Sequence, residues 1–163
     1  MKRKMTTKQS KLTMTDINVI FGTLEDLDTI VQFQMDMAFE SEGTILNKTS
    51  LEKGVGAALK DADRGRYLVA KVKEEVVGSL MLTREWSDWN NCWYLWVQSV
   101  YVVPTHRGKG IYTAMYQKVK DIAREEGIRQ IRLYVDRDNT NAQRVYNQLG
   151  MAECHYLMFE EKI

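Results

Sequence analysis

The stretch from Ser99 to Ala123, SVYVVPTHRGKGIYTAMYQKVKDIA, constrains the fold more than any other part of the chain. It opens with strand formers, Val100 to Val103, and Pro104, the chain's only proline, ends that strand because proline donates no hydrogen bond to a ladder. A glycine loop follows, and beyond it apolar residues recur at helical spacing. Those residues are Ile111, Met115, Val119, Ile122 and Ala123. The stretch therefore predicts a strand, a glycine loop and a helix N-terminus.

The loop Arg107-Gly108-Lys109-Gly110 has the chemistry of an anion site. Glycines allow a ligand to approach the backbone, the first N–H groups of a helix lack intrahelical acceptors, and the two basic side chains add positive charge. The loop is predicted to bind a phosphate or pyrophosphate. The alternative interpretation is a solvated basic turn between strand and helix. A Walker loop is excluded because Lys109 precedes glycine, and a dinucleotide fingerprint departs at Thr113, where its third glycine would stand.

Size and charge point to an ordinary globular domain. The chain has 163 residues, 44% hydrophobic and 28% charged, with a formal net charge of +1 that gives no general attraction to nucleic acid. No apolar run reaches membrane-spanning length, and two cysteines with two histidines form no recognisable metal motif. We expect a reducing, cytoplasmic location. Residues 1–16 form a basic polar segment, predicted to be a flexible tail, and residues 17–163 form a single domain.

Hydrophobic periodicity gives the remaining elements. The predicted order is strand, two helices, three antiparallel strands, helix, strand, helix, strand, which is an α/β fold with a mixed, mostly antiparallel sheet flanked by helices. Capping boxes are predicted at Thr23 with Asp26 and at Thr49 with Glu52. The predicted strands are 17–21, 67–73, 76–83, 92–103, 131–135 and 155–159, with a polar connection at 84–91 and helices starting near 24, 49, 111 and 139.

Two separated motifs resemble the GNAT N-acetyltransferase superfamily. The first is the acetyl-CoA signature Arg/Gln-x-x-Gly-x-Gly/Ala, which Arg107 and Gly110 match, whereas Tyr112 replaces its last small residue. The second begins Asn139-x-x-Ala142, continues to Tyr146 and ends Leu149-Gly150-Met151, with methionine in place of phenylalanine. Both motifs fall in the expected elements, and the predicted element order from Ile17 onward also resembles this family.

The resemblance implies transfer of an acetyl group from acetyl-CoA, as cosubstrate, to a primary amine without a covalent enzyme intermediate. It implies that the main chain of Val100, Tyr101 and Val102 lies beside the pantetheine arm. The loop that binds the pyrophosphate comprises Arg107, Gly108, Lys109, Gly110, Ile111, Tyr112 and Thr113. Asn139 is implied to contact the CoA arm, and Tyr146 to be the general acid. From spacing alone, a packed core tyrosine is the favoured interpretation of Tyr146, and a helix cap is the alternative interpretation of Asn139.

The general base and the acceptor are open at the level of sequence. Glu85 is the first candidate base because it follows a predicted strand beside tryptophans; Asp88, Glu40 and Glu42 are alternatives, and a solvated carboxylate is an equal interpretation of Glu85. The four tryptophans at positions 86, 89, 93 and 96 could bind a cationic amine or pack in the core or a subunit interface. The loop 41–48 is a second candidate wall of the acceptor site.

The predicted function is acetyl-CoA-dependent N-acetylation of a small-molecule amine. The alternatives are acetylation of a protein N-terminus or lysine, and a non-catalytic acyl-CoA sensor or regulatory module. Nucleic-acid binding by the basic N-terminal segment is disfavoured because no aromatic residues interleave its charges. No membrane partner is expected, and a homodimer is expected only because dimers are common in the resembled family.

Overall fold

The computed structural model describes residues 16–163, so all but the last residue of the tail predicted at 1–16 lies outside the described part. This part divides into two compact units, residues 16–133 and Tyr134–Ile163. The first unit holds β1 (Ile17–Phe21), α1 (Leu27–Glu42), α2 (Lys48–Lys60), β2 (Arg66–Val72), β3 (Glu75–Ser87), β4 (Cys92–Val102), α3 (Ile111–Glu125) and β5 (Gln130–Arg132). The second holds α4 (Thr140–Gln148). Within residues 16–163, no helix is long and apolar enough to cross a membrane.

The five strands form one sheet in the order β1-β2-β3-β4-β5. The first three pairings are antiparallel and β4 pairs with β5 in parallel, which confirms the predicted mixed, mostly antiparallel sheet. Because β4 and β5 are parallel, the chain must cross over between them, and α3 makes that crossover.

Helices cover both faces of the sheet. Tyr67 and Val69 of β2 pack in a core cluster with Ile30 of α1 and Val55 of α2. Side chains alternate along a strand, so Ala70 faces the other way, and its ladder partner Gly78 lies against Ile111 and Met115 of α3. Both sides of the central strands are therefore buried, as the apolar sequence of β4 predicts.

Local signals explain most of the element boundaries. The capping box predicted at Thr23 and Asp26 is present, with the Thr23 amide donating to Asp26 Oδ2 at 2.9 Å. Gly43 ends α1 at φ 64°, and Gly127 follows α3 at φ 68°. The predicted cap at Thr49 is wrong: Asn47 caps α2 by accepting from the Ser50 amide at 2.9 Å.

Three strand predictions need correction. β3 continues to Ser87, so the predicted polar connection at 84–91 shrinks to the turn between Ser87 and Cys92. Cross-strand pairs hold that extension, including Trp86 opposite Trp93 with ring centroids 5.1 Å apart. β5 covers only residues 130–132. No strand forms at 155–159, where residues of high strand propensity are exposed and no neighbouring strand pairs with them.

Candidate functional site

A break in the pairing of β4 creates the main feature of the site. Tyr94, Leu95 and Trp96 pair with β5, and beyond Trp96 the rest of β4 has no partner on that edge within the described sheet. Apart from the Val102 carbonyl, which accepts from Arg107 Nε at 2.8 Å, the backbone groups on that edge are available to an extended ligand that carries amides of its own. Val100, Tyr101 and Val102, predicted to line the pantetheine arm, all lie on this segment.

A β-bulge shapes the same segment. On β3, Ser79 is opposite Tyr101 and Met81 is opposite Gln98, so two residues of β4, Ser99 and Val100, lie opposite the single residue Leu80. Ser99 has φ 53°, a conformation that costs energy for a residue with a Cβ atom. A bulge of this kind bends the strand and increases its local twist, and such bulges are frequent beside active sites.

The glycine loop follows directly. Pro104 begins a short 3-10 turn through His106, and the chain then enters the loop, where Gly108 and Gly110 have φ 70° and 83°. Gly110 is the N-cap of α3 and provides no side-chain cap, so the first amides of this helix are left for another acceptor. The predicted sequence of strand, glycine loop and helix N-terminus is confirmed as local structure.

The remaining side chains of the loop differ in their surroundings. Lys109 and Thr113 are exposed, whereas Ile111 is buried. The ring of Tyr112 is half-buried and stacks on Tyr116 with centroids 6.1 Å apart. The side chain of Tyr112 is therefore directed along α3, while its backbone amide lies in the first turn of that helix.

Arg107 makes contacts that the motif did not predict. Its Nε donates to the Val102 carbonyl at 2.8 Å, and its guanidinium donates to Glu40 Oε2 at 2.6 Å. The other Glu40 oxygen accepts from the Tyr101 hydroxyl at 3.1 Å. Burial, together with the hydrogen bond and negative charge of Glu40, raises the pKa of Tyr101 to about 12. The hydroxyl therefore stays protonated and donating near neutral pH.

Sequence reasoning named Glu40 only as an alternative base and missed its link to Arg107. One signal could have found it. Glu40 occupies the last turn of α1, where a carboxylate opposes the helix dipole. Because such a carboxylate is unfavourable for the helix itself, its position suggests a cationic or hydrogen-bonding partner in another element.

Glu85 lies within β3 and not after it. Its carboxylate accepts from Arg132 Nη1 at 3.0 and 3.2 Å and from the indole N–H of Trp96. Arg132 also stacks over the ring of Tyr94, 4.3 Å from its centroid. The assignment of Glu85 as general base stays a prediction, and both oxygens of this carboxylate already accept hydrogen bonds from neighbouring side chains.

The four tryptophans that could form one acceptor site lie in different surroundings. Trp96 belongs to the Glu85 network, whereas Trp86 and Trp93 pack edge to face at the end of the β3–β4 hairpin. Trp89, in the turn, is 88% exposed. The described residues contain no group of three His, Cys, Asp or Glu side chains able to hold a metal ion.

The second unit carries the other two predicted site residues. Asn139 is the N-cap of α4, and its side-chain oxygen accepts from the Ala142 amide at 3.1 Å. The capping role considered at the sequence level is therefore present. Tyr146 lies on α4 and is half-buried, and burial raises the pKa of its phenol above the usual value.

Comparisons with known proteins agree on one family. Residues 27–151 match the profile of the Acetyltransferase (GNAT) family. A 99-residue stretch is 31% identical to streptothricin acetyltransferase of Streptomyces lavendulae, covering 61% of this chain and 50% of that protein. A 75-residue stretch is 33% identical to the thialysine N-epsilon-acetyltransferase of Bos taurus, covering 46% and 44%. The chain thus spans about half the length of these curated relatives.

A solved structure extends the likeness to nearly the whole chain. The crystal structure of a possible acetyltransferase from Clostridium difficile 630 superposes with a TM-score of 0.84 at 42% identity. The superposition covers 90% of this chain and 97% of that one.

Proposed function

The chain belongs to the acetyltransferase (GNAT) family, and from this premise we propose that it transfers an acetyl group from acetyl-CoA to a primary amine. One observation carries the proposal: the open edge of β4 beyond Trp96 leads, within a few residues, into the uncapped N-terminus of α3. An acyl-CoA has an amide-containing arm for the first feature and a pyrophosphate for the second. The family uses acetyl-CoA as cosubstrate.

The chemistry follows from the substrates. A neutral amine nitrogen attacks the thioester carbonyl, and a backbone N–H at Val100 to Val102 stabilises the oxyanion that forms. The carbon–sulfur bond then breaks and the amine loses a proton to a carboxylate or to water. The leaving thiolate, with a conjugate pKa of about 8.5 by analogy with cysteine, takes a proton from a general acid.

Tyr146 is the proposed acid. The support is its match to the family motif, and the raised pKa of its phenol keeps the proton in place at neutral pH. By the same motif, Asn139 is proposed to contact the CoA arm as well as to cap α4. The base stays a proposal among Glu85, Asp88, Glu40 and Glu42. Glu85 is paired with Arg132, and Glu40 with Arg107, so either carboxylate would have to weaken an existing ion pair in order to accept a proton from the amine.

A small-molecule amine is the proposed acceptor. The names of two relatives support this choice, because streptothricin and thialysine are small molecules. Acetylation of a protein N-terminus or lysine is the second candidate. We expect a cytoplasmic enzyme with no nucleic-acid or membrane partner.

Calorimetric titration with acetyl-CoA, with NAD and ATP as controls, tests the cosubstrate. We expect binding of acetyl-CoA and neither control, and failure of a folded sample to bind acetyl-CoA would refute the proposal. Release of the CoA thiol in the presence of a panel of amines then tests the activity. Binding without transfer to any small or peptide amine would instead identify a non-catalytic acyl-CoA sensor.

Replacing Tyr146 with phenylalanine tests the acid. The variant loses the proton donor and keeps the ring, so kcat should fall by roughly 10²-fold or more while the Kd for acetyl-CoA changes little. Steady-state kinetics with the best amine measures both effects. A kcat equal to that of the wild type would remove Tyr146 from the mechanism.

A further inference from the structure

Arg107 is the basic residue that the acetyl-CoA motif places at the pyrophosphate, yet its side chain is held by the protein itself. Nε donates to the carbonyl of Val102 at the end of β4, and Nη2 donates to Glu40 in the last turn of α1. The guanidinium carbon also lies 5.4 Å from the centre of the Tyr101 ring. Arg107 therefore links three elements: α1, β4 and the glycine loop in which it stands.

Glu40 is fixed from both sides. One carboxylate oxygen accepts from Arg107 and the other from the Tyr101 hydroxyl, at 2.6 and 3.1 Å. Tyr101 is only 5% exposed and packs against Phe33 of α1 with ring centroids 5.2 Å apart. A buried tyrosine thus orients the carboxylate that in turn orients the arginine, although Glu40 and Arg107 are themselves partly exposed.

The location of Glu40 argues that this arrangement serves the loop and not the helix. A carboxylate at a helix C-terminus opposes the helix dipole, and no basic side chain occupies the last turn of α1 to offset it. Its favourable interactions come from Arg107 and Tyr101. Removing Glu40 should therefore leave α1 intact and free the loop.

We propose that Glu40 is a positioning residue for the acetyl-CoA loop. Its carboxylate holds the Arg107 side chain, which connects α1 to the end of β4, and we call this connection the brace. The brace fixes the loop so that the backbone amides of Gly108 to Thr113 are already in place for the pyrophosphate. In this arrangement Arg107 acts mainly by fixing the loop, and the amides of the loop and helix bind the anion. The inference rests on the proposed acetyl-CoA site.

The competing role of Arg107, direct neutralisation of the pyrophosphate, predicts the opposite sign for a change at Glu40. If Arg107 bound the anion directly, removing Glu40 would release it from a competing carboxylate and also delete a nearby negative charge. Both effects would tighten binding. If Arg107 is a brace, removing Glu40 loosens the loop and weakens binding.

The experiment compares calorimetric Kd values for acetyl-CoA in the wild type, Glu40→Gln, Arg107→Lys and the double variant. We expect Glu40→Gln to weaken binding about tenfold, the size of one lost charge-assisted hydrogen bond. Arg107→Lys keeps the charge but not the planar fork, so it should weaken binding to a similar extent. The double variant should bind no more weakly than either single one, because both changes remove the same brace.

Two controls separate the brace from charge and from folding. Asp36→Asn removes the same charge one helical turn earlier on α1, and it should change the Kd for acetyl-CoA less than about twofold. S-acetylpantetheine lacks the pyrophosphate, so its Kd, measured by NMR titration, should be the same in the wild type and in Glu40→Gln.

Three results would overturn the inference: unchanged or tighter acetyl-CoA binding by Glu40→Gln, retained affinity in Arg107→Lys, or an equal loss for S-acetylpantetheine. A wild-type protein that binds no acetyl-CoA would refute both this inference and the proposed function. A wild type that binds, with variants that bind as well, refutes this inference alone.

Discussion

Gly78 lies where the sheet, the bulged strand and α3 come closest together, so replacing it with alanine tests that packing. A Cβ atom at this position would lie 3.0 Å from the Tyr101 carbonyl oxygen, 3.3 Å from Ile111 Cγ2 and 3.4 Å from Met115 Sδ. The methionine sulfur can move aside at little cost. The carbonyl cannot, because it belongs to the backbone of β4.

The expected change in the free energy of unfolding is the difference between two opposing effects. Overpacking in a close-packed core costs about 1–3 kcal/mol. Alanine restricts the unfolded chain more than glycine does, which returns about 0.4–1 kcal/mol. We therefore expect Gly78→Ala to lower the free energy of unfolding by about 1–2 kcal/mol, or the Tm by roughly 3–6 °C for a domain of this size.

Urea denaturation followed by circular dichroism measures the change, and Gly54→Ala is the matched control. Gly54 is exposed within α2, and a Cβ atom there would meet nothing within 4 Å. The same chemical change should therefore stabilise the protein by about 0.5–1 kcal/mol through helix propensity. Two substitutions of the same kind should thus shift stability in opposite directions. Equal stabilisation by both would refute the packing described around Gly78.

Two further predictions concern the ion pairs and the bulge. Glu126 at the end of α3 binds Arg66 through two hydrogen bonds, at 2.6 and 3.1 Å, and Arg84 at 2.7 Å. Burial raises the pKa of Glu126, but the hydrogen bonds and charges of the two arginines outweigh it, so the folded-state pKa lies below 4.5. Stability from this group is therefore present above pH 4.5 and lost as pH falls through the folded-state pKa. Glu126→Gln should accordingly cost about 1–2 kcal/mol at pH 7 and less in acid. Urea melts at both pH values, with exposed Glu125→Gln as control, measure this, and a pH-independent cost would contradict it. At Ser99, with φ 53°, glycine should leave the Tm within about 2 °C of wild type, whereas valine should lower stability by about 1–3 kcal/mol; a valine variant as stable as the glycine variant would be evidence against that backbone conformation.

Local chemistry made much of the fold predictable from sequence. β1 runs from Ile17 to Phe21 as predicted, and the unit from β4 through the glycine loop to α3 follows from Pro104 and two glycines. These signals act within a few residues, so they need no knowledge of distant contacts. Both family motifs are of this local kind, which is why the amino-acid sequence alone is enough to recognise them.

The predictions that were wrong or missing concern segments whose structure depends on contacts with residues far away in the chain. Arg84, Glu85 and Ser87 are polar, so this segment resembles a loop in sequence, but the pairing of Trp86 with Trp93 keeps it in β3. Residues 155–159 have strand formers, yet a strand exists only when another strand pairs with it. Glu40 and Arg107 are 67 residues apart. The position of Glu40 in α1 suggests that it has a partner, but no local pattern identifies that partner as Arg107.

The extra residue in β4 also sets which side of the sheet each later residue faces. Before the bulge, Leu95 and Val97 face α3, because Val97 is paired with Leu82 on that side. An unbroken strand would send Tyr101 to the same side, since it has the same odd parity. The bulge reverses the alternation, so Tyr101 instead shares a face with Ser79 and meets Phe33 and Glu40 of α1. Deleting one residue at 99–100 would therefore remove the bulge and still leave Tyr101 opposite Ser79, whereas a regular strand that kept both residues would turn every later residue of β4 to the opposite face.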